Sequence, residues 1–201
     1  MKDSRVILCT GGIGSGKSYV VRAFRQLGVP AYDCDRAAKE CYDRDPGLLS
    51  DVVSLVGTAV LADDGKLDRA ALSQRIFQDP ALLSDVEALV HPAVIRDFES
   101  WKAGRPEPLL LLESAILLEK PQYARLYDRV LLVTAPLPTR IDRVMARSGL
   151  SGEQVRQRMS AQWSDAQMAA SADYVLENDD RQALLPAIID IIEKENQDGK
   201  D

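Results

Sequence analysis

The residues with the clearest chemical meaning form one short run near the start of the chain. Positions 11–18 read Gly-Gly-Ile-Gly-Ser-Gly-Lys-Ser, which matches the phosphate-binding loop pattern G-x-x-x-x-G-K-[ST]. The glycines let backbone N–H groups close around phosphate oxygens, and the following helix N-terminus adds a positive dipole end. In such a loop Lys17 reaches the β- and γ-phosphates, and the Ser18 hydroxyl binds Mg²⁺. The run therefore predicts a site for a nucleoside triphosphate.

Carboxylates follow two of the apolar runs that we interpret as strands. Asp33 and Asp35 stand at the end of the second run, and Glu113 ends the third. Ligands of open parallel sheets collect at the carboxyl ends of the strands, so we expect Asp33 to face the phosphate site and to act as a base. Asp35 is interpreted as a cap of the next helix. Glu113 fits either a group near the metal ion or a plain strand-end acid.

Three arginines stand at spacings of three and four after the fourth run. Arg140, Arg143 and Arg147 then share one helical face, which suits a clamp on triphosphate oxygens. Taken singly, each of them is also consistent with a solvated surface arginine. Arg158 and Gln162 extend this surface in the next helix.

The remaining reactive side chains suggest no chemistry. The single histidine, His91, precedes a proline and is interpreted as a structural turn residue. Three cysteines, at no metal-ligand spacing, are typical of reduced thiols in the cytosol.

The pattern of apolar residues predicts the strands and helices that position these side chains. Helical stretches alternate with five strand candidates, which is the pattern of a parallel α/β sheet. The candidates are Val6 to Thr10, Pro30 to Cys34, Leu109 to Leu112, Arg129 to Thr134, and Tyr174 to Glu177. Residues 36–108 form a mostly helical insertion, in which Pro92 is expected to break one helix and open the next. A second helical block, 139–172, is predicted to hold two helices, one of which begins at the capping-box spacing of Ser151 and Gln154. A last helix is predicted to span 183–195.

Length and charge set the broad class. The chain has 201 residues, enough for one domain or one domain with a small insertion. The formal net charge of −6 argues against nucleic acid or an anionic membrane as the main partner. No apolar run approaches 18 residues, and the N-terminus does not resemble a signal peptide. We therefore expect a cytoplasmic protein, a monomer or a weak homo-oligomer, with no nucleic-acid or membrane partner.

The ordered set of motifs resembles the dephospho-coenzyme A kinase family, across residues 6–178. The resemblance is carried by Thr10 to Ser18, Asp33-Cys-Asp35, Asp64-Gly-Lys-Leu-Asp-Arg69, Ile76-Phe77, Leu89-Val-His-Pro92, Glu113 to Glu119, Arg140-Ile-Asp-Arg143, Arg158 to Gln162, Ala172-Asp173 and Asn178. The chain departs from the usual pattern at Tyr19, Cys34, Glu113-Ser-Ala115 and Asn178-Asp179.

The resemblance implies a phosphate-loop kinase fold that uses ATP and Mg²⁺ to phosphorylate the ribose 3′-hydroxyl of dephospho-coenzyme A. It implies a nucleotide-binding core (1–35, 109–135 and 173–201), a helical substrate domain (36–108) and a lid (136–172). The catalytic residues it implies are Asp33, Lys17 and Arg143. The nucleotide-binding residues are Gly12, Ile13, Gly14, Ser15, Gly16, Lys17, Ser18, Tyr19, Arg140 and Asn178, with Ser18 also the metal ligand.

Two alternatives remain open at this stage. The same loop and lid would serve a kinase of nucleoside monophosphates or of another small alcohol, although the large insertion favours a bigger acceptor. A GTP-binding switch is the other class, and it requires D-x-x-G and N-K-x-D elements. Neither string occurs in the sequence, and an arginine-rich lid suits phosphoryl transfer better than slow hydrolysis.

Overall fold

The computed structural model describes residues 4–198, together with most of their side chains. The strands are β1 (Arg5–Thr10), β2 (Ala31–Asp33), β3 (Leu109–Glu113), β4 (Arg129–Thr134) and β5 (Tyr174–Glu177). The α-helices are α1 (Lys17–Gln26), α2 (Cys34–Arg44), α3 (Pro46–Val56), α4 (Arg69–Phe77), α5 (Pro80–Ala103), α6 (Leu137–Ser148), α7 (Gly152–Met159), α8 (Asp165–Ala169) and α9 (Leu184–Asp198). Short 3₁₀ helices lie at Thr58–Val60, Leu117–Glu119 and Pro121–Leu126.

The five strands form one parallel sheet in the order β2-β3-β1-β4-β5. All five strand candidates of the sequence are present, and the α/β class is confirmed. The central strands are almost continuously apolar and buried, as expected of a parallel sheet that is covered on both faces. The phosphate loop leaves the central strand β1, where ligands of such sheets bind.

Helices α1 and α9 cover one face of the sheet. Phe24 and Ile188, both fully buried, pack with side chains of β1, β3 and β4 in one hydrophobic cluster. The buried carboxylate of Glu195 fixes α9 to the strands, since it accepts hydrogen bonds from Arg5 (2.8 Å) and the Tyr174 hydroxyl (2.6 Å). The packing of Val20, Val21 and Phe24 in the same cluster holds α1 against the strands directly after the phosphate loop.

The chain divides into two compact units. One comprises the residues through Asp33 and from Arg105 onward, and the other comprises Cys34–Gly104. The second unit is helical, built from α2 to α5, and its helices α3, α4 and α5 begin at aspartate caps: Asp45, Asp68 and Asp79. This unit corresponds to the helical insertion for which the sequence analysis predicts the limits 36 and 108.

Two predictions about helices are wrong. Helix α5 runs unbroken through Pro92, because the buried residues Val90 and Val94 on either side of it pack both halves into one core. The free energy gained from that packing exceeds the cost of the backbone hydrogen bond that proline cannot donate. The 139–172 block contains three helices rather than two. Ser164 and Gln167 form a second capping box, which starts α8.

Candidate active site

The phosphate loop takes a backbone conformation that depends on glycine. Gly11, Gly14 and Gly16 have φ angles of 148°, 81° and 93°. L-residues with side chains rarely adopt this region, so a substitution at any of the three strains the backbone. Gly16 is also the N-cap of α1, and within the described chain no side chain caps that helix. The first N–H groups of α1 are therefore available to an anion.

Neighbouring side chains approach this loop so closely that a Cβ would collide with them. A Cβ on Gly12 would overlap the Arg140 guanidinium, and one on Gly16 would overlap the Asn178 amide. A Cβ on Gly14 would lie 2.5 Å from the Arg140 carbonyl oxygen. The loop thus needs glycine for its contacts with the rest of the unit as well as for its φ angles.

The residues that end the loop lie at the start of α1. The Lys17 ammonium donates a hydrogen bond to the Gly11 carbonyl, across the loop. Ser18 is exposed in the first turn, and the ring of Tyr19 points outward, with 59% of its surface exposed. The Ser15 hydroxyl is buried and has no hydrogen-bond partner among the described residues.

Two carboxylates lie on neighbouring strands at the same edge of the sheet. Asp33 at the end of β2 pairs in register with Glu113 at the end of β3, and Glu113 pairs with Cys9 of β1. Residues paired in register point to the same face, which is here the face covered by α1. Burial, with a contribution from the Glu113 carboxylate, raises the pKa of the Cys9 thiol to about 12, although Lys17 opposes this shift. Cys9 is therefore a protonated core residue.

Arg140 in α6 is one of the most buried charged residues of this unit. Its Nε donates to the Ile13 carbonyl (3.0 Å), and its Nη1 donates to both carboxylate oxygens of Asp165 (2.8 and 2.9 Å). The side chain of Gln162 accepts a hydrogen bond from the Ile13 N–H (2.9 Å). Both backbone polar groups of Ile13 are thus held by the 136–172 segment.

Arg143, one turn further along α6, contacts the other side of the loop. Its Nη1 lies 3.4 Å from the carbonyls of Gly14 and Ser15, and its Nη2 donates to the Asn178 carbonyl (3.1 Å) and to Asp180 (2.6 Å). Asn178 in turn donates its side-chain amide to the Ser15 carbonyl (3.0 Å). The structure therefore brings Arg140, Arg143 and Asn178 onto the loop.

Other residues singled out by the sequence lie elsewhere. Arg147 is exposed at the end of α6, and His91 lies inside α5 in the helical unit. Asp35 lies in the first turn of α2 and is not its cap, because the helix already begins at Cys34.

Sequence reasoning missed Asp165 and Asp180, and it named Glu119 among the residues that carry the resemblance without assigning it a partner. Asp165 pairs with Arg140, Asp180 pairs with Arg143, and Glu119 accepts a hydrogen bond from the Trp163 N–H (2.9 Å). Asp180 is the one non-glycine residue with positive φ among residues 4–198, at 63°. The capping box around Asp165 was a readable signal for a helix start, but nothing in the spacing indicated its arginine partner.

The loop after β5 is ordered by Asp179. Its carboxylate accepts hydrogen bonds from the N–H groups of Arg181 (2.9 Å) and Gln182 (3.2 Å), and the bond from Arg181 contributes most to lowering the pKa of Asp179. This turn fixes the chain directly after Asn178.

Residues 4–198 contain no group of three or more His, Cys, Asp or Glu side chains arranged to hold a metal ion. Among these residues, no helix is long and apolar enough to cross a membrane.

Comparison with known proteins agrees with this geometry. The family model described as dephospho-CoA kinase matches residues 5–183. The chain belongs to the dephospho-CoA kinase family. A dephospho-CoA kinase of Porphyromonas gingivalis is 40% identical over 185 residues, which cover 92% of this chain and 91% of that relative.

Solved structures support the same family fold. The crystal structure of TT1252 from Thermus thermophilus superposes with a TM-score of 0.82 at 36% identity and covers 98% of both chains. The dephospho-CoA kinase from Campylobacter jejuni superposes with a TM-score of 0.64 at 20% identity, over 96% of this chain and 97% of that one. The resemblance inferred from the motifs is thereby confirmed, together with the phosphate-loop kinase fold.

Proposed function

We propose that this chain transfers the γ-phosphoryl group of ATP to the ribose 3′-hydroxyl of dephospho-coenzyme A, giving coenzyme A and ADP. Membership of the dephospho-CoA kinase family supports the acceptor. The observation that carries the chemistry is the glycine loop on the central strand, with Lys17 across it and Arg140 and Arg143 against it. Three cations at one loop suit a triphosphate whose charge shifts during transfer.

Lys17 and Arg143 are proposed to act on the phosphates. Lys17 would exchange its hydrogen bond to the Gly11 carbonyl for oxygens of the β- and γ-phosphates. Arg143 would exchange its bond to Asp180, which is 67% exposed, for the transferring phosphoryl group. The exchange at Lys17 replaces a neutral carbonyl with an anionic oxygen, which forms a stronger bond with the ammonium. The exchange at Arg143 replaces an exposed ion pair, which contributes little, with a phosphoryl group of higher charge.

Asp33 is proposed as the base that accepts the proton of the 3′-hydroxyl. Its support is its position at the carboxyl end of β2, half-buried and in register with Glu113. A carboxylate there orients the hydroxyl for in-line attack and takes its proton as the new bond forms.

Mg²⁺ is proposed to bind with ATP, and Ser18 is the proposed protein ligand. The residues present fit this ion, since Mg²⁺ in such sites keeps several waters and takes phosphate oxygens, so it needs few protein ligands. The exposed Ser18 hydroxyl in the first turn of α1 provides one such ligand. The ion supplies charge neutralisation on the phosphates.

The other roles are proposed on the resemblance. Residues 36–108 are proposed to hold the acceptor, residues 136–172 to act as the lid, and Asn178 to lie on the adenine side. Gly12, Ile13, Gly14, Ser15, Gly16 and Tyr19 are proposed to surround the nucleotide. We also propose a cytoplasmic location and a monomeric or weakly associated state. The absence of a nucleic-acid or membrane partner completes the proposal, and the net charge of −6 supports this last part.

A coupled ADP-release assay with ATP and Mg²⁺ tests the acceptor and the base. Dephospho-coenzyme A is compared with AMP, CMP, dTMP and adenosine, for the wild type and for Asp33→Asn. We expect turnover with dephospho-coenzyme A alone, reduced at least about a hundredfold in Asp33→Asn while ATP still binds. Turnover of a mononucleotide would refute the acceptor, and full activity of Asp33→Asn would refute the base.

A further inference from the structure

The guanidinium of Arg140 is held at two of its three nitrogens and unpaired at the third. Nε is bonded to the Ile13 carbonyl, and Nη1 is bonded to both oxygens of Asp165. Within residues 4–198, Nη2 has no hydrogen-bond acceptor, although only 8% of the side chain is exposed. A guanidinium carries five N–H donors, so two of them are without a protein acceptor here.

The unpaired nitrogen lies against the phosphate loop. A Cβ on Gly12 would collide with Nη2 before any other atom of Arg140, so this nitrogen faces the loop backbone. Among the described residues, the buried side-chain atoms that lack a partner are Thr10 Oγ1, Ser15 Oγ and Glu107 Oε2, so Nη2 of Arg140 is still accessible from outside. A phosphate oxygen is an acceptor that a guanidinium fits well. Arg143 differs, because its Nη2 already donates to Asn178 and Asp180.

Asp165 is itself firmly placed. It opens α8 directly after Ser164, whose side chain forms a capping box with Gln167. The preceding residue, Trp163, donates its N–H to Glu119, and Gln162 accepts the N–H of Ile13. The carboxylate that pairs with Arg140 therefore directly follows a segment that is bonded to the phosphate loop and to Glu119.

We propose that Asp165 is a positioning residue for ATP: it holds Nη1 of Arg140 in a bidentate pair so that Nη2 is directed at a phosphate of the bound nucleotide. The inference rests on the proposed ATP site and adds a residue to it. Without the carboxylate, the guanidinium loses two of its three fixed bonds and its direction. The effect of Asp165 then passes entirely through Arg140.

The test is a double-mutant cycle on ATP binding. Asp165→Asn, Arg140→Gln and the double variant are titrated with ATP by calorimetry and assayed for KM. We expect Asp165→Asn to raise both the ATP dissociation constant and the KM for ATP about tenfold, the size of one charge-assisted hydrogen bond. The KM for dephospho-coenzyme A stays within twofold. In the Arg140→Gln background, Asp165→Asn adds less than a twofold change.

The control is Asp142→Asn, an exposed carboxylate on the same helix as Arg140, which leaves ATP binding unchanged. Independent, multiplying effects of the two substitutions would overturn the proposal, as would equal rises in both KM values. Asp165→Ser is the second variant if Asp165→Asn does not fold, with the same expected result. Because the titration needs no acceptor, failure to turn over dephospho-coenzyme A would refute the proposed function alone.

Discussion

At the scale of single residues, the side chains packed against the phosphate loop restrict which residues the loop can contain. Its glycines are fixed by contacts with Arg140 and Asn178 as much as by positive φ angles. Phosphate oxygens are proposed to replace the Gly11 carbonyl at Lys17 and the Asp180 carboxylate at Arg143, whereas Arg140 keeps its bond to the Ile13 carbonyl. A glycine substitution in the loop should therefore have two effects. The collision of the new Cβ with a neighbouring side chain should weaken ATP binding, and the positive φ angle should lower the free energy of unfolding.

Gly16→Ala and Gly28→Ala separate these two effects. Both positions have positive φ, 93° and 87°, so both substitutions should destabilise the fold by about 1–2 kcal/mol. Only Gly16→Ala also drives a Cβ into the Asn178 amide, whereas nothing lies within 4 Å of a Cβ at Gly28. We expect ATP binding to be lost in Gly16→Ala and kept in Gly28→Ala, as measured by calorimetry. Equal ATP affinity in the two variants would contradict the steric account.

At the scale of elements, helix α9 depends on one buried carboxylate. The Glu195 side chain is fully buried, pairs with Arg5 at 2.8 Å and lies 3.5 Å from Arg129. Removing one partner of a buried pair leaves an uncompensated charge.

Glu195→Ala should lower the free energy of unfolding by about 1.5–3 kcal/mol in chemical denaturation, the range for hydrogen bonds to a charged group, because the arginines that lose the carboxylate, Arg5 and Arg129, are 26% and 39% exposed and remain partly solvated. The matched control is Glu193→Ala, an exposed glutamate on the same helix, which should change it by no more than about 0.5 kcal/mol. Equal effects from the two substitutions would show that the buried network does not stabilise α9.

The elements also show how far sequence reasoning reaches. The strands, the phosphate loop and the Ser151–Gln154 capping box could be predicted from local sequence. The hydrophobic period, the glycine spacing and the capping residues that indicate them all extend over only a few residues. Pro92 was misread because tertiary packing overrides a local preference. The Arg140–Asp165 pair joins positions 25 residues apart, so only the packing of α6 and α8 reveals it.

At the scale of the whole molecule, the hydrophobic core contains a buried thiol, that of Cys9, on the strand that leads into the phosphate loop. Cys9 is fully buried on the central strand, and burial raises the pKa of its thiol to about 12 from an ordinary value of 9.0. In the unfolded chain the thiol ionises near its ordinary value, so the folded state holds the proton more tightly. Cys9 therefore contributes stability that is fully present below pH 9 and is lost as the pH rises from about 9 to 12.

The free energy of unfolding should accordingly fall by up to about 1.4 kcal/mol per pH unit in this window because of Cys9. Denaturant unfolding at several pH values checks this, with Cys9→Ala as the comparison. Below pH 9 the free energy of unfolding of Cys9→Ala should be lower than that of the wild type, because the substitution leaves a small cavity. Above pH 9 it should fall less steeply than that of the wild type. Parallel curves for the two proteins would contradict the assignment.

The most direct test of the central claim is the identity of the phosphorylated product. The wild type is incubated with ATP, Mg²⁺ and dephospho-coenzyme A, and the product is analysed by two-dimensional ³¹P–¹H NMR. We predict a new phosphate monoester whose phosphorus couples to the ribose H3′ proton, formed in the same amount as ADP. Coupling to H2′, or ADP formation with only inorganic phosphate as the second product, would contradict the account.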